Sequence, residues 1–163
     1  MNPVARPRPA EPADLDRLAS LENICFEQER RDSRTVIRQS LSNPRHEVWI
    51  VDAQEEDIAG IESALFLRKM RNSLRIHSLA TRPGLRGRGR GSQMLDLAEN
   101  RARELNCSRL ALEADASRSE LVDWYERRGY RRARLLPAYY APGRDAWRLE
   151  RDISPASSAS NDS

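Results

Sequence analysis

Lysine is almost missing from this chain: Lys69 is the only one, and every other residue among the 28 lysines and arginines is arginine. Arginine favours forked contacts to phosphate and carboxylate, although so broad a bias reflects genome composition as much as chemistry. Cysteine is scarce too. Cys25 and Cys107 lack C-x-x-C spacing, which excludes a disulfide framework and a cysteine zinc site. His46 and His77 have no carboxylate or cysteine at ligand spacing, so no metal is expected. The first residues carry no apolar leader, and no apolar run approaches the roughly 20 residues of a membrane span, so a soluble, cytoplasmic protein without a membrane partner is expected. Internal repeats are absent. With 163 residues and a net charge of +3, the chain has the size of one domain with a genuine core.

Against these absences stands one stretch, Leu74 to Leu95. It opens as a strand marked by Ile76 and Leu79, and Pro83-Gly84 breaks it. Arg86-Gly87-Arg88-Gly89-Arg90-Gly91 follows, and then Leu95, Ala98, Ala102 and Leu105 repeat at helical spacing. A glycine-arginine loop therefore joins a strand to the first turn of a helix. Helix N-termini offer unpaired N–H groups and partial positive charge, and glycine lets the backbone approach a ligand. Arg82, Arg86, Arg88 and Arg90 add charge with no acid between them. Such a loop holds phosphates. Walker A spacing fails because Arg90-Gly91 follows Gly89, and the Rossmann fingerprint fails at Ser92. An RNA-binding arginine-glycine segment is the alternative from another class, although such segments run much longer than six residues.

The remaining elements are read from both ends inward. Residues 3–10 are extended and suit a short edge strand. Pro12 opens a helix bearing Leu15, Leu18, Leu21 and Ile24, and Ser33 caps a second that Asn43-Pro44 stops. Residues 45–53 and 58–69 form strands around a polar turn at 54–57. Arg109–Asp115 is a strand with Leu110 and Leu112 on one face, which turns Glu113 to the other. Ser119–Arg128 is a helix ended by Gly129 at C′. Strands at 130–136 and 146–153 close the domain, with a loop at 136–145 between them. The tail 154–163 is low in complexity and expected to be disordered. The order is β-α-α-β-β-β-α-β-α-β-β, with a parallel crossover from 74 to 115.

Arg86-x-x-Gly89-x-Gly91 is similar to the pyrophosphate loop of the GNAT family of N-acetyltransferases, and the element order agrees over residues 4–153. Leu121 to Tyr130 resembles the family's leucine-tyrosine-glutamate segment ending in glycine and an aromatic. Ser20 to Phe26, Leu112-Glu113, and Tyr139-Tyr140 with Asp145-Ala146 resemble the bacterial-type branch that acetylates the N-terminal alanine of a ribosomal protein. The resemblance implies an α/β (α+β) fold with a mixed central sheet of six to seven strands and about four helices. A single domain over 1–153 would bind acetyl-CoA as co-substrate, as a monomer or homodimer.

The resemblance also implies site residues. The backbone of Leu79, Ala80 and Thr81 would hold pantetheine, and Arg86, Gly87, Arg88, Gly89, Arg90, Gly91 and Ser92 the pyrophosphate. Tyr125 would protonate the leaving thiolate and Glu113 would act as base through water. Arg118 stands where the family has a cofactor-contacting asparagine. The acceptor expected is a protein N-terminal α-amine or lysine, with a small-molecule amine as the alternative. The acidic run Glu27, Glu29, Asp32 suits either a cationic peptide or a solvated loop.

Overall fold

The computed structural model describes residues 5–54 and 60–154. The expected strand start at Ile58, turn residues 55–57 and the tail from 155 onward lie outside them. The described residues fall into two compact units, one running to Arg68 and from Ile76 to Leu97, the other from Lys69 to Arg75 and from Ala98 onward.

In the first unit β1 (Arg8–Pro9) pairs antiparallel with β2 (His46–Asp52), Arg8 lying opposite Ile50. A single turn at Pro12–Asp14 leads into α1 (Leu15–Cys25), and α2 (Arg34–Ser42) follows. Ser33 caps α2 as expected, its hydroxyl accepting the Val36 N–H at 3.2 Å. Strand β2 pairs antiparallel with β3 (Ile61–Lys69). Leu18 and Leu21 of α1 and Ile37 of α2 pack with Val48, Ile50, Ala64, Phe66 and Ala80. Each large aliphatic buried this way contributes roughly 1.5–3 kcal/mol.

Among the buried acids of this unit, Asp14 and Glu22 meet opposite consequences. Burial opposes the charge of Asp14, but Arg8, the Glu11 N–H and Arg17 outweigh it and hold the carboxyl down at about 2. Arg8 also reaches Asp52 at 2.8 Å, so one guanidinium ties the first strand to the start of the helical segment and to β2.

Glu22, 5% exposed in the last turn of α1, has the charge of Arg31 in its surroundings, which does not offset its burial. Burial raises its carboxyl from 4.5 to about 7, although its Oε1 accepts the Asp32 N–H at 2.9 Å. Between those values the native state keeps a proton that the unfolded chain has released, so stability falls as pH rises through the window. Glu22→Gln is expected to abolish that slope. The wild type, measured by thermal unfolding, should lose on the order of 3 kcal/mol between pH 4.5 and 7.5 that the variant keeps.

Strand β4 (Ser73–Thr81) begins in the second unit. Ser73, Leu74 and Arg75 pair in parallel with Arg109, Leu110 and Ala111 of β5 (Arg109–Asp115), and β4 leaves the unit where this ladder ends. Parallel neighbours require a long crossover, supplied by α3 (Arg90–Glu104). After α4 (Ser119–Arg127), Gly129 takes φ +95°, the left-handed C′ position that glycine favours. Strand β7 (Arg144–Asp152) then lies between β5 and β6 (Arg131–Ala141), antiparallel to both. The strand order is β1-β2-β3-β4-β5-β7-β6, which makes a seven-stranded mixed sheet with four helices, an α+β fold.

One expectation is corrected here. The loop expected over 136–145 is mostly strand: β6 runs on to Ala141, and its register with β7 shifts between Leu136 and Ala141. Pro137 is tolerated because it lies on an edge strand, in the stretch between Leu136 and Ala141 where the register with β7 shifts. Among the described residues no helix is long and apolar enough to cross a membrane.

Candidate active site

The loop after β4 turns at Pro83–Leu85 and exposes Gly87, Arg88 and Gly89. Gly87 and Gly89 take φ +83° and +78°, and open space lies where a Cβ would stand on either. The first bond of α3 runs from the Gln93 N–H to the Gly89 carbonyl at 3.0 Å, so the N–H groups of Arg90, Gly91 and Ser92 precede the helical ladder. An anion of pyrophosphate size fits this arrangement: glycine backbone with no side chain in the way, helix N–H groups, and positive charge.

Three of the four arginines, Arg82, Arg86 and Arg90, divide their work in a way their spacing does not show. Arg82 donates to the Ile61 carbonyl at 3.3 Å and Arg86 to the Thr81 carbonyl at 3.0 Å. Arg90 pairs with Glu62 at 3.0 Å, and Glu62 is 2% exposed. A cation in the first turn of a helix opposes the macrodipole, and this buried carboxylate offsets it. Arg90 also donates to Gln93 and the Ala5 carbonyl, so its side chain braces the helix start and its backbone remains for a ligand.

Along β4 the odd-numbered residues Arg75, His77, Leu79 and Thr81 are half-buried, while Leu74, Ile76 and Ala80 are buried. The Ala80 carbonyl accepts the Ser63 hydroxyl at 2.8 Å, and the Thr81 carbonyl accepts the Cys25 thiol at 3.5 Å as well as Arg86. Burial pushes the Cys25 thiol up, so it stays protonated and is a poor nucleophile. His77, for which local spacing suggests no partner, places Nε2 2.7 Å from Asp32 Oδ2. Asp32 is therefore tied into the fold rather than left in a solvated acidic run. Among the described residues no group of three or more histidines, cysteines and acids could hold a metal.

In the second unit, Glu113 faces away from the buried Leu110 and Leu112, as alternation predicts. Its side chain is 6% exposed and lies between two guanidiniums, Arg75 at 2.9 Å and Arg148 at 2.7 Å. Arg148 sits directly opposite it on β7. Arg75 also donates to the Tyr139 hydroxyl at 3.1 Å, and the Tyr140 hydroxyl donates to the Glu113 carbonyl at 3.4 Å.

Tyr125 is 6% exposed, edge-on to Trp124 and Tyr130. Burial drives its hydroxyl well above the ordinary phenol range, the Arg118 charge opposes this, and Tyr140 adds to it. Tyr125, Arg118, Tyr140, Glu113 and Arg75 thus form one connected polar set. Arg118 itself is the exposed N-cap residue of α4. Arg75, Arg148 and Glu62 are absent from the sequence-based candidates. Strand register would have found Arg148, since it lies opposite Glu113, but register is not visible before the strands are paired.

The model of the acetyltransferase (GNAT) family matches residues 15–130. An uncharacterised N-acetyltransferase of Methanocaldococcus jannaschii is 40% identical over 72 residues, 44% of this chain and 46% of that protein. The N-alpha-acetyltransferase MAK3 of Arabidopsis thaliana is 38% identical over 65 residues, 40% of this chain and 34% of its own. The chain thus spans less than half the length of these curated relatives. The crystal structure of the ribosomal-protein-S18-alanine N-acetyltransferase from Escherichia coli shares the fold, with a TM-score of 0.82 at 17% identity over 96% of this chain and 98% of that one. A family match over residues 15–130, most of the chain, shows that this protein belongs to the GNAT acetyltransferase family.

Proposed function

We propose that this chain transfers the acetyl group of acetyl-CoA to a primary amine, foremost an N-terminal α-amine of a protein or peptide. The observation that carries the reading is the exposed loop with left-handed Gly87 and Gly89 at the start of α3. Acetyl-CoA supplies the activated thioester. The backbone of Gly87 to Ser92 binds the pyrophosphate, and the main chain of Leu79 to Thr81 orients the pantetheine arm. The amine nitrogen attacks the carbonyl carbon, the carbon–sulfur bond breaks, and the amine gives up a proton. Tyr125 meets the charge that develops on sulfur with its O–H, and its raised phenol keeps that donor in place. Arg118 adds a positive charge that acts on the same hydroxyl.

A small-molecule amine remains the alternative acceptor within the same chemistry. The nucleic-acid reading loses support, because Arg82, Arg86 and Arg90 spend their guanidiniums on this chain's own carbonyls and on Glu62. Acetyl-CoA at 100 times its Kd is expected to stabilise the protein by ~2.7 kcal/mol, read as a thermal shift. No shift with saturating acetyl-CoA or CoA would sink the reading. A panel of N-terminal peptides, lysine peptides and polyamines, followed by thiol release, then separates the acceptor classes.

A further inference from the structure

The connection between α1 and α2, residues 26–33, is fastened to β4 at both ends. At its start the Cys25 thiol donates to the Thr81 carbonyl at 3.5 Å. At its finish Asp32 Oδ2 stands 2.7 Å from His77 Nε2, and neither side chain is more than 19% exposed. His77 and Thr81 lie on one strand, about 13 Å apart at 3.3 Å per residue, so the connection is a strap along that half of β4. Arg31 braces the strap against α1, its Nε donating to the Phe26 carbonyl at 2.8 Å and its Nη2 to the Asn23 carbonyl at 3.1 Å. Asp32 joins this brace to the sheet, and its own N–H is held by Glu22 Oε1 at 2.9 Å.

Protonation sets the charges in that joint. The Asp32–His77 contact is an ion pair only while the imidazole is protonated. Glu22, buried beside Asp32, keeps its proton up to about 7, and once ionised it places a second negative charge next to the Asp32 carboxylate. Raising the pH therefore removes an attraction and adds a repulsion. For Glu22 the closed strap retains a proton that a hydrated carboxyl releases at 4.5, so closure is favoured below that value and is lost as pH rises through 7. The neighbouring charges do not reverse this. Arg31 faces Glu22 with a fixed charge that burial outweighs. On the sheet, His46 of β2 and Arg68 of β3 stand opposite one another, and Phe66 of β3 meets the His77 ring edge-on. Burial, then Arg68 and His77, hold the His46 ring below its ordinary 6.5, so it stays neutral above that pH. Glu27 and Glu29 of the strap are exposed.

We propose that residues 26–33 form a pH-latched strap on β4, held closed in acid by Asp32 against His77 and Glu22 and released as pH rises past neutrality. The latch itself needs no ligand and goes beyond acetyl transfer. Its consequence rests on that reading: His77 and Thr81 flank the main chain given to pantetheine, so the strap governs approach to that stretch.

Amide hydrogen exchange of the full chain between pH 6 and 8, corrected for the intrinsic rate at each pH, tests the latch. The Asp32 amide is expected to exchange roughly 100-fold faster than the core amides of α3, because the strap lifts without global unfolding. Its protection should fall about 10-fold from pH 6 to pH 8, the change produced by a carboxyl that titrates at about 7 closed and 4.5 open. Glu22→Gln keeps an acceptor for the amide but cannot ionise, so the slope should shrink to what His77 contributes. Asp32→Asn keeps the backbone N–H and removes the ion pair, which should lower protection at pH 6 about 10-fold and leave the Glu22 slope. With both substitutions protection should be level across the range.

Exchange of the Asp32 amide at the rate of the α3 amides would overturn the proposal, since the strap would then open only with the whole fold. Level protection in the wild type, or a slope that survives in the double variant, overturns it as well. Saturating CoA should raise the protection of the Asp32 amide further, because a strap beside an occupied stretch lifts less freely. Unchanged protection with CoA bound, as verified by a thermal shift, strikes the governing role. A missing thermal shift instead removes the acetyl-transfer reading, and the pH slope still decides the latch.

Discussion

Gly89→Val is expected to abolish acetyl-CoA binding while the protein stays folded. Gly89 holds φ +78° as the residue whose carbonyl accepts the first bond of α3. A β-branched residue there is strained by roughly 1–3 kcal/mol, so the loop leaves this conformation for one without the cradle. A side chain that did tolerate it would project into the open space where backbone must meet phosphate. The position is exposed and touches no core, so global stability without ligand should change little. The measurement is paired: thermal unfolding of the free variant close to wild type, and no further shift with acetyl-CoA. Arg86→Ala should be milder, because its guanidinium donates to the Thr81 carbonyl and the backbone donors survive its loss. Normal CoA affinity in Gly89→Val would show that the loop is not the pyrophosphate site.

Tyr125→Phe is expected to lower kcat by roughly 10²–10³-fold with acetyl-CoA affinity nearly intact, the loss typical of one donor aimed at developing charge. Burial narrows this range from above. A phenol raised so far gives its proton to a thiolate, of pKa ~8.5, only uphill, so its contribution is a hydrogen bond more than a completed transfer. The same shift predicts the pH dependence. Because the folded hydroxyl titrates above its ordinary value of 10.0, no basic limb from Tyr125 should appear in kcat up to pH 10. Volume is nearly conserved, so stability should hold. Full kcat in a chemistry-limited assay would leave Tyr125 as packing against Trp124 and Tyr130. A basic limb near pH 9 that disappears in the phenylalanine variant would contradict the environment described for the hydroxyl.

Much of this protein was legible from local pattern. Period and punctuation marked the helices and most strands: Ser33 as cap, Asn43-Pro44 as stop, Gly129 as C′ residue, and the glycines after Pro83 as the loop into α3. Those signals are local because hydrogen bonds within a helix, and the φ values glycine permits, are decided among near neighbours. Alternation likewise turned Glu113 away from Leu110 and Leu112.

What alternation could not say is what Glu113 would face. Arg75, 38 residues earlier, and Arg148, 35 residues later, meet its carboxylate only once β4, β5 and β7 are paired in register. The same holds for Arg90, whose charge reads as part of a phosphate loop until the fold buries Glu62 beside it, and for His77, 45 residues from Asp32. The extension of β6 through Pro137 has the same origin, since a bulge exists only relative to the partner strand it slips against. Charge in a sequence is counted residue by residue. Whether that charge is left for a ligand or neutralised within the fold is a matter of distance across the chain, and the tertiary structure alone decided it.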